Sequence, residues 1–198
     1  MENTIYKNTS NIIYQIASNL DTSSSRTYLA QLRQSINRDL ATASGVFSLI
    51  FSNISEQYLG KGGNLTDSER AIITTLQLYA LHQQGKPISV NITVDTSEGL
   101  RGRNLGAVLN TLRTDENSKA VDRRFNAMIT SSNFNELKNH LRHLIKLLKT
   151  RSQAKLNYPK LAEDLFYYQK GFENEIRLKW SRSYYRNFNN KKGEKENE

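Results

Sequence analysis

The chain has no cysteine, and only two prolines, one tryptophan and three histidines among its 198 residues. Without cysteine there is no disulfide and no thiolate metal site, which fits a reducing interior. With so few prolines, helices can run uninterrupted. No run of about 18 apolar residues occurs, so no segment reads as a membrane span. Residues 1–10 lack the basic-then-apolar layout of a signal peptide. A cytoplasmic protein is expected. Enzyme signatures are missing as well: there is no Asp-x-Asp and no Gly-x-Ser-x-Gly. Gly60, Gly62 and Gly63 neither follow a strand nor precede Lys-Ser/Thr, so they make no phosphate-cradling loop. No histidine has an arginine four to six residues upstream, as a helical ribonuclease would use. The expectation is a non-enzyme without a cofactor.

What the chain does have is helical periodicity and unevenly placed positive charge. Its net charge is +9. Residues 1–100 hold seven Lys and Arg against eight Asp and Glu, whereas residues 101–198 hold 21 against 11. A near-neutral half beside a basic half points to one part that packs and another that meets a polyanion such as nucleic acid.

The clearest helix lies within residues 123–151. Asn133 is a suitable N-cap and Glu136 stands three residues on, as in a capping box. Leu137, Leu141, Leu144, Ile145 and Leu148 then project within an arc of about 100°. Lys138, Arg142, Lys146 and Lys149 fall in a neighbouring arc about 110° further round. His140 and His143 take the other flank. This stretch reads as the element that the rest of the chain is organised around.

Other helices follow from the same spacing. The first is expected over residues 9–20, on Ile12, Ile13, Ile16 and Leu20. A second carries Tyr28, Leu29, Leu32 and Ile36, with Arg26, Arg33 and Arg38 on its polar sides. A third is expected from Val46 to Tyr58. Thr66 and Glu69 make a capping box opening a helix that Gly85 and Pro87 close, with His82 packed near its end. Residues 88–98 alternate, but a lone strand has no partner, so they read as a loop. Arg101 and Arg103 follow on glycine-rich backbone from which they can reach phosphate. Leu105, Val108, Leu109 and Leu112 share a helix face, and residues 115–118 break the chain. Val121, Phe125, Met128 and Ile129 come next, with Arg123 and Arg124 beside them. After the basic residues Arg151 and Lys155, Pro159 opens a further helix, and Ile176, Trp180 and Tyr184 mark the last, with both aromatics expected in the core.

The pattern predicts an all-α, two-lobed helical bundle with a basic second half. Residues 1–115 would form the near-neutral lobe, 116–188 the basic lobe, and 189–198 a disordered tail. Glu136, His140 and His143 stand at i, i+4 and i+7 and offer one metal-dependent alternative, but no further ligand cluster accompanies them, so no metal is expected.

Several segments in order resemble the small subunit of the type I-E CRISPR Cascade surveillance complex, the CasB family. They are Tyr79-Ala-Leu-His-Gln-Gln-Gly85, Gly102-Arg-Asn-Leu-Gly-Ala-Val-Leu109, Arg123-Arg-Phe125, His140-Leu-Arg-His-Leu-Ile-Lys-Leu-Leu148 and Leu156-Asn-Tyr-Pro-Lys-Leu-Ala-Glu-Asp-Leu165. The resemblance covers about residues 25–188 and implies a non-catalytic subunit. Its implied partners are the backbone and large subunits, a second copy of itself, and the guide RNA–target DNA R-loop with its displaced single strand. It places Arg123, Arg124 and Arg142 as DNA contacts. Charge and placement add Arg26, Arg33, Arg101, Arg103, Lys146, Lys149 and Arg151, as groups that neutralise phosphate rather than read bases. A stand-alone helical DNA-binding regulator is the alternative, although its usual early recognition helix would fall in the near-neutral half.

Overall fold

The structure is a computed structural model that describes residues 4–38, 40–92 and 104–195. Nearly all ordered backbone in it is helical, as expected, and the core is built of Leu, Ile and aromatic side chains.

The most buried element is α4 (Asp67–Gln83), on which every residue from Ala71 to Gln83 is buried. It packs against α1 (Thr4–Ala17), α2 (Ser23–Gln34), α7 (Phe134–Arg151) and α8 (Tyr158–Tyr167). The reason is legible in its composition, because residues 71–85 contain no Asp, Glu, Lys or Arg. A helix without a solvating face is a central one. The amphipathic α7, expected as the organising element, instead covers α4 with its five apolar side chains. Each such burial stabilises by about 1.5–3 kcal/mol relative to exposure.

The capping box at Thr66 is present, and it does more than start α4. The Thr66 hydroxyl accepts from Glu69 N–H at 3.1 Å and donates to the Tyr58 carbonyl at 3.0 Å. Glu69 accepts from the backbone N–H of Thr66 at 2.7 Å and of Gly60 at 3.0 Å. The glycine loop is thereby tied to the central helix. At α7 the box is shifted by one residue. Asn133 accepts from Glu136 N–H at 3.0 Å, but the Glu136 carboxylate reaches Ser132 N–H at 2.7 Å rather than the cap residue.

Two helices differ from expectation. The first starts at Thr4 and ends at Ala17, because Ile5 extends its buried face and the Thr9 hydroxyl hides against the Ile5 carbonyl at 2.8 Å. The helix expected over 46–58 is a 3₁₀ segment (Leu40–Val46), the short α3 (Phe47–Phe51) and a 3₁₀ turn (Glu56–Tyr58). Ser52 and Asn53 turn their side chains back onto the Ser48 and Leu49 carbonyls, at 2.5 and 2.8 Å, and end the helix there. Of the loop expected over residues 88–98, residues 93–98 lie outside the described residues, and the described part has a bridging partner: Leu156 N–H donates to Val90 O and Ile92 N–H to Leu156 O.

Two groups of helices share the core. One holds α1, α2, α4 and α8. The other holds α5 (Leu105–Asn110), α6 (Ser118–Ile129), α7 and α9 (Glu173–Lys195). They are not contiguous in sequence. α8 follows the break at 115 and packs on α1 and α4, whereas α5 precedes it and packs on α9. Phe125 of α6 stacks on Tyr184 of α9 with centroids 3.8 Å apart, and Trp180 and Tyr184 are fully buried, as expected. Between α8 and α9, Gly171 takes φ 89°, a value that favours glycine, and the chain turns there. α9 is described through Lys195, and residues 196–198 of the expected tail lie outside the described residues.

Candidate nucleic-acid interface

The cationic arc of α7 does not face open solvent alone. Arg142 and Lys146 line a groove with Arg33 of α2, and Gln34 and Gln84 complete its polar wall. The groove has a volume of about 370 Å³, and none of its lining residues is acidic. Helical spacing explains the arrangement: Arg142 and Lys146 are one turn apart on α7, and Arg33 approaches them from the neighbouring helix across the end of α4.

Arg33 is the informative member. Its guanidinium is half-buried, which lowers its pKa while leaving it charged. Its one hydrogen bond is long, 3.5 Å to the Ala80 carbonyl, and no carboxylate pairs with it among the described residues. A partly desolvated cation without a counter-charge is costly unless an anion arrives.

The positive field extends to both sides. Lys149 donates to Gln84 Oε1 at 2.9 Å, at the rim of the groove. Lys86, which sequence reading passed over, lies at the same end, where its charge and that of Lys149 act on buried His82. On the other flank, His143 is pushed down by partial burial and then by the charges of Arg142, Lys146, His140 and Arg124. The charge of Arg124 on α6 thus acts on the same histidine as those of Arg142 and Lys146. A basic band runs from α2 across α7 to α6.

Not every expected residue joins it. Arg26 shares a face of α2 with Arg33 but lies two turns earlier, exposed and 3.9 Å from Asp21. Arg123 is exposed on α6, and Arg151 is exposed at the end of α7; neither lines the groove. Arg101 and Arg103 lie outside the described residues. The Gln34 and Gln84 amides were not foreseen, since nothing in their local sequence distinguishes them from surface glutamines.

The metal alternative has no geometry behind it. Glu136 is held by the backbone N–H and hydroxyl of Ser132, both at 2.7 Å, which keep its carboxyl below the usual range. Its nearest approach to His140 is 3.7 Å. No three His, Asp or Glu side chains stand close enough to hold a metal among the described residues.

The chain matches the family model described as CRISPR-associated protein Cse2 over residues 28–185. A comparison with curated proteins finds no match. Among solved structures, CasB from Thermobifida fusca superposes with a TM-score of 0.70 at 20% identity, over 91% of this chain and 97% of that one. CasB from M. ruber gives 0.63 at 17%, over 92% and 97%. A Cse2-family protein from Thermus thermophilus gives 0.57 at 19%, over 89% and 97%. At these identities the likeness is one of fold.

Proposed function

The chain belongs to the Cse2 (CasB) family of CRISPR-associated proteins, and from that premise we propose that it is the non-catalytic small subunit of a type I-E Cascade complex that binds DNA backbone without sequence specificity. In this role it stabilises the R-loop and the displaced strand. Its protein partners are the backbone and large subunits and a second copy of itself. The observation that carries the reading is the convergence of Arg33, Arg142 and Lys146 on one groove without an acidic neighbour. Such a groove neutralises phosphates, and pairing between guide and target supplies the sequence. Arg124 and Lys149 extend the contact along the band, while Arg26, Arg123 and Arg151 act as more distant charges.

The test is a reconstituted complex carrying Arg33→Gln, Arg142→Gln and Lys146→Gln together. R-loop lifetime is expected to shorten. The salt dependence of single-strand binding is expected to flatten by about 2 in log affinity per log unit of salt, near 0.7 for each phosphate no longer neutralised. An unchanged lifetime and slope in a complex of normal composition overturns the role of this groove.

A further inference from the structure

Between its cations the groove has an apolar floor, made by Ala30, Ile36 and Leu81. Leu81 is 8% exposed, and Ile36 packs partly against the core. At one end stands Gln84, which leaves the helical path at φ −57°, ψ 120° just before Gly85 at φ 77°. Its Oε1 is occupied by Lys149 at 2.9 Å. The amide NH₂ therefore remains as a donor. At the other side Arg33 holds unused guanidinium donors.

A phosphodiester has no use for an apolar floor. A ligand that uses the whole groove has a flat apolar face, hydrogen-bond acceptors on its edge and a negative charge. An unpaired nucleotide has all three, and a cavity of about 370 Å³ lies in the size range of small-ligand pockets. A base inside a duplex keeps its faces stacked and has none to offer.

We propose that this groove seats one unpaired nucleotide, its base against Ala30, Ile36 and Leu81, its edge on the Gln84 amide, and its phosphate on Arg33, Arg142 and Lys146. The inference rests on the nucleic-acid reading above. It adds a base-dependent contribution and a selection for unpaired strands.

The experiment uses the full chain at low salt with four probes of equal length: oligothymidine, an abasic sugar-phosphate strand, oligouridine and a DNA duplex. Oligothymidine is expected to bind about tenfold more tightly than the abasic strand. In Ile36→Ser and, separately, in the exposed-site variant Gln84→Ala, that preference is expected to shrink toward about twofold with the salt slope unchanged. Oligouridine binding equal to oligothymidine supports seating of either nucleic acid, and weaker oligouridine binding supports seating of DNA. Equal, salt-sensitive binding of the thymidine and abasic strands overturns the nucleotide seat and leaves the phosphate reading standing. Duplex binding as tight as single-strand binding also overturns it. No binding of any probe overturns the nucleotide seat, while the phosphate reading is decided by the R-loop lifetime of the reconstituted complex.

Discussion

His82 lies on α4 with 1% of its surface exposed and its Nδ1 2.9 Å from the Tyr158 hydroxyl. Burial, with Lys86 and Lys149 nearby, lowers its pKa to about 4. In the unfolded chain the value is about 6.5. Between these limits the unfolded chain binds a proton that the folded chain does not, so stability falls as pH drops through this window. From pH 7 to about 4.5 the loss due to His82 is about 2 kcal/mol. Urea midpoints at both pH values check this: His82→Gln is expected to lose less stability on acidification than the parent chain, and equal losses would contradict it. Asp164 is the other buried polar centre. It accepts from the Trp180 indole N–H at 2.9 Å and pairs with Lys160 and Lys179, each at 3.3 Å. Asp164→Ala leaves the indole without an acceptor and removes the carboxylate that Lys179 pairs with, while Lys160 keeps its ion pair with Glu163. A loss of about 3 kcal/mol is expected in urea denaturation. Asp164→Asn, which keeps an acceptor for the indole, is expected to lose less.

Elements were legible in the sequence where one local signal decides them, and illegible where side chains or distant segments do. α7 could be read from five apolar residues and an Asn cap, because nothing else competes for those positions. The start of α1 was hidden by Thr9, whose hydroxyl is satisfied within the helix and so sits in the core as an apolar residue would. The break at Ser52 and Asn53 depends on two side chains capturing carbonyls, which apolar spacing does not register. The groove was half legible: its cations stood out by charge, but its floor and amides come from α2, the turn after it and the end of α4. Gly106 shows the same limit. It reads as an ordinary glycine in a short helix, yet a Cβ there would overlap the Trp180 carbonyl oxygen and lie 2.8 Å from its carbonyl carbon. Both obstacles are backbone, so neither can rotate away. Gly106→Ala is expected to push α5 off α9 and cost about 3 kcal/mol, read as a lower denaturation midpoint. A midpoint within error of the parent would mean that α9 shifts freely.

At the scale of the molecule, the charge boundary and the packing boundary differ. Charge changes sign of balance near residue 100, which makes residues 116–188 look self-sufficient. Packing crosses that point, because α8 buries Tyr158, Leu161 and Leu165 and lies against α1 and α4. α9 in turn rests on α5. Exposing those three side chains alone forfeits about 5 kcal/mol or more, comparable to the whole stability of many domains. A fragment of residues 116–198 is therefore expected not to fold cooperatively, as read by far-UV circular dichroism during denaturation. The full chain is expected to unfold in one step. Trp180, its only tryptophan, is fully buried on α9 and reports on the group of α5, α6, α7 and α9, while circular dichroism reports on all helices. Coincident transitions from the two probes indicate one cooperative unit. A fluorescence transition displaced from the dichroism transition would mean that the two helix groups unfold separately, and that the contacts of α4 with α7 hold them together only weakly.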